Sequence, residues 1–289
     1  MARPGGEMTA AQVMTLLDEV VEAVRTALAG VGDWGLTGTK AGEHHSDLAA
    51  DAAALGVLGR AGVGVLSEES GLQEAERPLL VVVDPLDGST NAAQGIPWFA
   101  TSLCAVDADG PLAALVVNLV TGDRFEARRG EGAWRNGLLI GPSSCTTVRQ
   151  SIVGLSGFPP RWLGWRQYRA LGAAALDLCA VACGVLDGYL DCSRDAHGVW
   201  DYLGGLLVCQ EAGAVVTDAF SRDLVLRTAD EKRTPIAAAT PALLDDLVAA
   251  LAAVSGSALL KRVSVRKVRT AAAVVFALLA VVTLVEAFV

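Results

Sequence analysis

Acidic residues in three separated segments of the chain have the types and spacing of a site for divalent cations and phosphate. Glu68 follows a short apolar run, and Asp84 and Asp87 lie three positions apart after a second one. Asp201 lies far downstream, directly after Trp200. Hard cations such as Mg²⁺ prefer oxygen ligands and bind through a few carboxylates, substrate phosphate and water. We therefore expect the three segments to converge on one metal and phosphate site.

The segment from Asp84 to Asn91 offers further groups for phosphate chemistry. The Asp84 carboxylate is placed to bridge two cations, and the Leu86 carbonyl between the two aspartates is a candidate ligand. A two-metal site stabilises both the attacking and the leaving oxygen of an in-line displacement. The amides of Gly88 and Ser89, at the start of a predicted helix, are suited to hold phosphate oxygens.

Strand ends and helix starts must position these groups. Leu79–Val83 is a run of five apolar, β-favouring residues, which predicts a strand buried on both faces. We expect this strand to end before Asp84, because Pro85 cannot extend a hydrogen-bonded ladder. A shorter strand over 64–67 should precede the upstream acid, and a helix should begin at 200–202.

The remaining pattern predicts a layered α/β fold in two halves. Apolar stripes indicate helices over 9–30 and 47–62, and residues 102–128 suit a meander of antiparallel strands. The later part of the chain alternates strands with helices. We predict an N-terminal α+β half, residues 1–147, which carries the metal site, and a C-terminal α/β half, residues 148–255, which completes it.

Residues 256–289 differ in composition from the rest of the chain. They contain five basic residues and one acid, and Ala271–Val289 is apolar except for Thr283 and Glu286. A helix of about this length crosses the hydrocarbon core of a bilayer, and flanking basic residues favour the cytosolic side. We predict a basic linker and a C-terminal transmembrane helix; an amphipathic or oligomer-forming helix is the alternative.

Charge and cysteine content exclude some classes of protein. The formal net charge of −9 divides into +4 for residues 256–289 and −13 for residues 1–255. An acidic body argues against nucleic acid as the partner. The six cysteines show no Cys-x-x-Cys spacing and no signal peptide is visible, which predicts reduced cysteines and a cytoplasmic catalytic body.

These motifs resemble those of the inositol monophosphatase family of lithium-sensitive, magnesium-dependent phosphatases. The matching segments are Glu68-Glu69-Ser70, Asp84-Pro85-Leu86-Asp87-Gly88-Ser89-Thr90-Asn91 and Trp200-Asp201. The resemblance covers roughly residues 10–250 and implies a layered αβαβα sandwich, two or three Mg²⁺ ions per site and a homodimer. It also implies hydrolysis of a small phosphate monoester by metal-activated water, without a covalent phospho-enzyme.

By position, the resemblance implies that Glu68, Asp84 and the Leu86 carbonyl hold a first metal ion. Asp84, Asp87 and Asp201 would hold a second. Glu68 would also help to activate the attacking water.

The resemblance implies roles for residues outside the metal ligands as well. Ser89 stands where the family has a threonine whose hydroxyl orients the water together with an acid. Asp51 is the candidate acid and Asp47 is the alternative. Two acids of the family lie six positions apart in this helix, whereas Asp47 and Asp51 lie four apart, so position alone does not decide which of them partners Ser89. Lys40 resembles a flap lysine near a further metal ion. The implied substrate-binding residues are Asp87, Gly88, Ser89, Gly172, Ala173, Asp191 and Asp201, with Arg194 as an additional candidate.

Several alternatives stay open at this level. Relatives act on inositol phosphates, fructose 1,6-bisphosphate, histidinol phosphate, 3′-phosphoadenosine phosphates and NADP. The loop from Asp191 to Asp201, which the resemblance implies contacts the substrate alcohol, is longer than in animal members, so the substrate stays open. In aspartyl-phosphate phosphatases the nucleophile and the acid lie two positions apart, whereas Asp84 and Asp87 lie three apart, which disfavours that class. A catalytically inactive, membrane-tethered scaffold is the alternative outside the enzymes.

Overall fold

A computed structural model describes residues 8–39 and 42–259 of the 289-residue chain. The helices are α1 (Ala10–Ala29), α2 (His45–Ala61), α3 (Ser89–Gln94), α4 (Ala174–Ala182), α5 (Val199–Ala212) and α6 (Pro241–Leu259). The strands are β1 (Gly64–Ser67), β2 (Gly71–Gln73), β3 (Leu80–Asp87), β4 (Ala100–Asp107), β5 (Gly110–Asn118), β6 (Arg124–Arg128), β7 (Gly132–Arg135), β8 (Leu138–Leu139), β9 (Ile152–Ser156), β10 (Gln167–Arg169), β11 (Gly188–Asp191), β12 (Val215–Asp218) and β13 (Pro235–Ala238). The predicted mixed α/β class is confirmed.

The first half of the chain forms an eight-stranded sheet in the order β2-β1-β3-β4-β5-β6-β7-β8. β1 and β3 run parallel and the other neighbours antiparallel, which includes the predicted meander. Helices α1 and α2 cover one face of this sheet through buried residues such as Leu17 and Leu58. Thr9 and Gln12 form a capping box, so α1 begins where its apolar stripe begins.

The second half forms a five-stranded sheet in the order β10-β9-β11-β13-β12. Helices α4 and α5 lie between the two sheets, and their apolar side chains share one core with Val82 of the first sheet and Ala237 of the second. Helix α6 covers the outer face of the second sheet through Leu243 and Leu247. Helices and sheets therefore alternate in layers. Because the two halves share this core, their division at residue 147 stays a prediction.

The central strand continues further than the sequence pattern predicts. β3 runs through Asp84 and Pro85 to Asp87 and is buried along its whole length. Its register against β4 shifts between Asp84 and Asp87, and this bulge accommodates a proline that has no N–H to donate. The Pro85 carbonyl accepts a hydrogen bond of 2.9 Å from the Thr101 hydroxyl. The predicted strand end before Asp84 was wrong because a bulge, rather than a break, absorbs the proline.

Two of the predictions fall on parts of the chain that the structure does not cover. Lys40 and the predicted transmembrane helix Ala271–Val289 both lie outside the described residues. Within residues 8–39 and 42–259, no helix combines the length and apolarity that a membrane span requires.

Candidate active site

Three of the predicted acids lie together at one edge of the first sheet. Glu68 follows β1, Asp84 lies in β3, and Asp201 lies in the first turn of α5. Because β1 and β3 are parallel neighbours, with Ser67 opposite Val83, the residues that follow these positions reach the same edge. One carboxylate oxygen of each acid lies within 4.8 Å of the other two. The three separated segments therefore converge.

Asp84 and Asp87 are buried and Glu68 is half-buried beside them, which disfavours ionisation of these three acids. Burial and the neighbouring carboxylates, that of Asp201 foremost, raise the pKa of Glu68 to about 8. Burial and the Glu68 carboxylate hold the pKa of Asp84 well above its ordinary range. Burial, together with the Asp201 carboxylate, raises the pKa of Asp87 to about 7. Among the described residues, no lysine or arginine forms a salt bridge with these carboxylates, and such a set fits a hard divalent cation, which supplies positive charge.

Asp87 lies beside this cluster and also holds the start of α4. Its two carboxylate oxygens accept hydrogen bonds from the amides of Ala174 at 3.3 Å and Ala175 at 2.8 Å. Ala173, the N-cap residue of α4, offers no side-chain cap, so Asp87 satisfies amides that the helix leaves free. A carboxylate has about four acceptor positions. Asp87 therefore retains acceptor capacity for a metal ion, and that role stays a prediction.

Leu86 is held within the bulge between the two aspartates. Its N–H donates to Asp84 Oδ1 at 3.0 Å, and its side chain is buried in the core that α2 covers. These two contacts fix the backbone of residue 86 beside Asp84. This placement is compatible with the predicted role of the Leu86 carbonyl as a metal ligand.

The structure distinguishes the two acids of α2. Asp51 Oδ1 accepts hydrogen bonds from the hydroxyls of Ser67 and Ser70, so Asp51 lies under the end of β1. Burial raises the pKa of Asp47, and an interaction with the Ser89 hydroxyl acts in the opposite direction. Among the described residues, Asp47 Oδ1 has no hydrogen bond of standard geometry. Asp51 Oδ1 is therefore occupied by two serine hydroxyls, whereas Asp47, in the first turn of α2, keeps an oxygen without such a contact among the described residues. We favour Asp47 as the partner of Ser89, and this pairing stays a prediction.

The turn between β3 and α3 packs directly against the start of α4. Gly88 has φ +87°, and a Cβ at this position would lie 3.1–3.2 Å from the Trp98 carbonyl, the Gly172 carbonyl and the Ala173 side chain. Only glycine fits such a close approach in this backbone conformation. Asn91 donates to the carbonyls of Trp98 and Leu171 at 2.7 Å each. The predicted phosphate-binding turn and the predicted substrate-contacting segment are thereby held together.

A cavity of about 260 Å³ opens beside the acids. Its lining includes four residues that the sequence had indicated: Asp87, Gly172, Ala173 and Asp201. It also includes four polar residues that sequence reasoning missed: Ser156, Asp177, Tyr189 and His197. The signals were an acid in the otherwise apolar α4 segment and a histidine four residues before Asp201.

Asp177 is an acid deep inside the cavity wall. It is 2 % exposed, and its Oδ1 accepts a hydrogen bond of 2.9 Å from the indole of Trp98. Burial raises the pKa of Asp177 well above its ordinary range, although the Trp98 hydrogen bond acts in the opposite direction. A protonated carboxyl at this position can donate a hydrogen bond to a ligand in the cavity.

The two residues predicted to read the substrate alcohol do not line this cavity. Asp191 has no solvent-exposed surface, and its Oδ1 accepts a hydrogen bond of 2.9 Å from the Ser193 amide. Arg194 pairs with Asp195 and lies over the ring of Phe220 at 4.7 Å. The longer loop between β11 and α5 turns both side chains away and brings His197 to the cavity instead. This geometry does not support their assignment to substrate binding, which stays a prediction.

Comparison with known proteins adds independent support. A model of the inositol monophosphatase family matches residues 47–255. The fructose-1,6-bisphosphatase of Pyrococcus furiosus is 37% identical over 169 residues, a segment that spans 56% of this chain and 65% of that enzyme. The fructose-1,6-bisphosphatase/inositol-1-monophosphatase of Archaeoglobus fulgidus is 34% identical over 240 residues, 78% of this chain and 92% of its own.

Solved structures agree with this relationship. A Pyrococcus furiosus protein described as an extragenic suppressor superposes with a TM-score of 0.71 at 30% identity, over 81% of this chain and 97% of its own. The family match covers more than half of the chain and includes the acids that converge at β1, β3 and α5. This chain belongs to the inositol monophosphatase family.

Proposed function

We propose that this protein is a Mg²⁺-dependent hydrolase of phosphate monoesters. The observation that carries the proposal is the convergence of Glu68, Asp84 and Asp201 from three elements, beside a tight turn and a cavity. Membership in a family that includes named phosphatases supports the same conclusion. Mg²⁺ ions bound there would polarise the phosphate and activate water for in-line attack.

The chain's own residues then divide into two groups. Glu68, Asp84, Asp87, Asp201 and the Leu86 carbonyl are the proposed metal ligands. Asp47 and the Ser89 hydroxyl are the proposed pair that holds the attacking water. Asp47 Oδ1, which is buried and lacks a standard hydrogen bond among the described residues, is the atom placed to take up the proton.

The charge of the cavity narrows the substrate class. Its described lining contains the acids Asp87, Asp177 and Asp201 and no lysine or arginine. Both ring nitrogens of His197 are already in contact, with Asp201 and Tyr189. A second phosphate in this cavity would find no lysine or arginine to pair with in the described lining, whereas substrate hydroxyl groups can hydrogen-bond to carboxyls in either protonation state. We therefore favour the monophosphate of a compact, uncharged polyol over a sugar bisphosphate.

Phosphate release by the full-length protein tests both the hydrolase activity and the substrate class. The panel comprises inositol 1-phosphate, fructose 1,6-bisphosphate, histidinol phosphate, 3′-phosphoadenosine 5′-phosphate and NADP, each with Mg²⁺ and with EDTA. We expect Mg²⁺-dependent turnover with the highest kcat/KM on inositol 1-phosphate. A preference for fructose 1,6-bisphosphate would contradict the substrate class but not the hydrolase.

Variants separate an enzyme from an inactive scaffold. Asp84→Asn should reduce turnover to background while the far-UV circular dichroism stays unchanged, because the buried amide cannot supply the anionic ligand. Asp109→Asn, at the exposed turn between β4 and β5, is the matched control and should retain wild-type turnover. Absence of turnover across the whole panel, or full activity of Asp84→Asn, would refute the proposed function.

We further propose that Ala271–Val289 tethers a cytoplasmic catalytic body to a membrane and that the protein is a homodimer. The tether is supported by nineteen residues with only two polar ones and by the basic residues before them. The homodimer follows from the family resemblance alone. Light scattering coupled to size-exclusion chromatography, on protein kept in detergent, measures the oligomeric state.

A further inference from the structure

His197 links the proposed metal site to the interior of the second sheet. It lies in the loop between β11 and α5, and its side chain is only 14% exposed. Its Nδ1 lies 3.2 Å from Asp201 Oδ2, and its Nε2 lies 2.9 Å from Tyr189 Oη. The Gly198 amide donates to the same Asp201 oxygen at 2.7 Å.

The chemistry of these atoms fixes the direction of the hydrogen bonds. Ionised Asp201 has only acceptors, so His197 Nδ1 must carry the hydrogen that it shares with Oδ2. In the neutral ring, Nε2 is then the acceptor of the Tyr189 hydroxyl, which sets the tautomer. With two donors directed at Oδ2, Asp201 Oδ1 is the oxygen left to face Glu68 and Asp84.

Tyr189 gives this arrangement a rigid base. It has no exposed surface and lies in β11, opposite Gly154 of β9 and Ala237 of β13. Its hydroxyl therefore has a position set by the middle of a five-stranded sheet. A buried tyrosine hydroxyl that hydrogen-bonds one nitrogen of a histidine restricts both the rotation and the tautomer of the ring.

We propose that Tyr189 and His197 are positioning residues, which hold the Asp201 carboxylate in the orientation needed to bind the metal ion. This inference rests on the proposed function, because it takes Asp201 as a metal ligand. Partners that orient metal ligands in this way typically contribute 10- to 100-fold in metal affinity. The competing role is that the two side chains only shape the cavity, which would change KM and leave metal affinity unaltered.

Binding of Mn²⁺ to the full-length protein, measured by electron paramagnetic resonance without substrate, tests the proposal apart from turnover. Tyr189→Phe removes the hydroxyl, and His197→Gln removes the donor at Nδ1. His197→Asn places an amide N–H close to the position of Nδ1 and serves as the conservative variant. Tyr202→Phe is the matched control, because Tyr202 is also fully buried, adjoins Asp201 in α5, and loses a hydrogen bond of 2.9 Å to the Leu224 carbonyl.

We expect Tyr189→Phe and His197→Gln to weaken Mn²⁺ binding about tenfold or more. The conservative variant His197→Asn should recover most of the affinity, and the control Tyr202→Phe should bind Mn²⁺ as the wild type does. Far-UV circular dichroism checks that each variant is folded. Wild-type affinity in Tyr189→Phe and His197→Gln, with or without a higher KM, would overturn the positioning role and leave the proposed function standing. A wild-type protein that binds no Mn²⁺ would instead overturn the metal site itself.

Discussion

Removal of the metal ion should make the stability of this protein fall as the pH rises. The pKa of Glu68 is about 8 in the folded, metal-free protein and 4.5 in an ordinary glutamate. Between these two values the unfolded chain releases the proton and the folded protein keeps it. Because the folded state then binds more protons, its stability decreases across this window and levels off above it.

The expected size of the change follows from the same two values. Each pKa unit corresponds to about 1.4 kcal/mol, so Glu68 alone accounts for a decrease on the order of 5 kcal/mol in the free energy of unfolding. Entry of water into the site reduces this cost, which makes the figure an upper bound. The contributions of Glu68, Asp84 and Asp87 do not add, because the three carboxylates raise one another's pKa values. Even half of this decrease is a large fraction of the stability of a typical domain.

Urea unfolding of the full-length protein in EDTA, from about pH 5 to about pH 8.5, measures this dependence. Saturating Mg²⁺ should flatten the dependence of the free energy of unfolding on pH, because a bound cation favours the ionised carboxylates. Mg²⁺ at a hundred times its Kd also adds about 2.7 kcal/mol to the free energy of unfolding. Glu68→Gln should reduce the slope in EDTA and leave part of it, because Asp84, Asp87 and Asp177 also hold protons in the folded state. Glu19→Gln, at an exposed position on α1, is the control that should keep it.

Two results would refute this reasoning. One is a free energy of unfolding that stays constant across this pH range in EDTA. The other is a Glu68→Gln variant whose slope equals that of the wild type, since Glu68 would then contribute nothing to the pH dependence.

Three shorter predictions address other parts of the chain. Asp47→Asn should lower kcat about 100-fold. Asp51→Asn should mainly lower the free energy of unfolding, by about 1–3 kcal/mol, because two serine contacts are lost. A larger loss of kcat in Asp51→Asn than in Asp47→Asn would contradict the pairing of Ser89 with Asp47. Gly88→Ala should lower the free energy of unfolding in urea by about 2 kcal/mol or more. Gly130→Ala should lower it less, because Gly130 has a similar φ of +74° but open space around it. Equal losses in the two variants would contradict the close approach at Gly88. Full-length protein should sediment with membranes and a variant ending at residue 259 should not, so full-length protein that stays in the supernatant without detergent would contradict the membrane tether.

The local sequence was sufficient to predict features that depend on neighbouring residues. The long helix α1 and the meander of β4, β5 and β6 follow from periodicity. Acids at the ends of apolar runs were enough to predict that Glu68 and Asp84 converge. Strands β2, β8 and β10 escaped prediction because two or three residues are too few to show an alternation. The bulge at Pro85 also escaped, since it depends on how β4 pairs with the strand.

Other features of the site were decided only by the packing of elements that lie far apart in the chain. Spacing in α2 could not tell Asp47 from Asp51, because the answer depends on which turn of the helix faces α3 and which lies under β1. Asp191 carries a functional residue type but is turned inward, while His197, in the same loop, reaches both Tyr189 and Asp201. Sequence spacing orders side chains along one element, whereas contact between elements is set by how their buried faces pack. The sequence therefore predicted which acids gather at the candidate metal site, and only the tertiary structure decided which neighbours contact them.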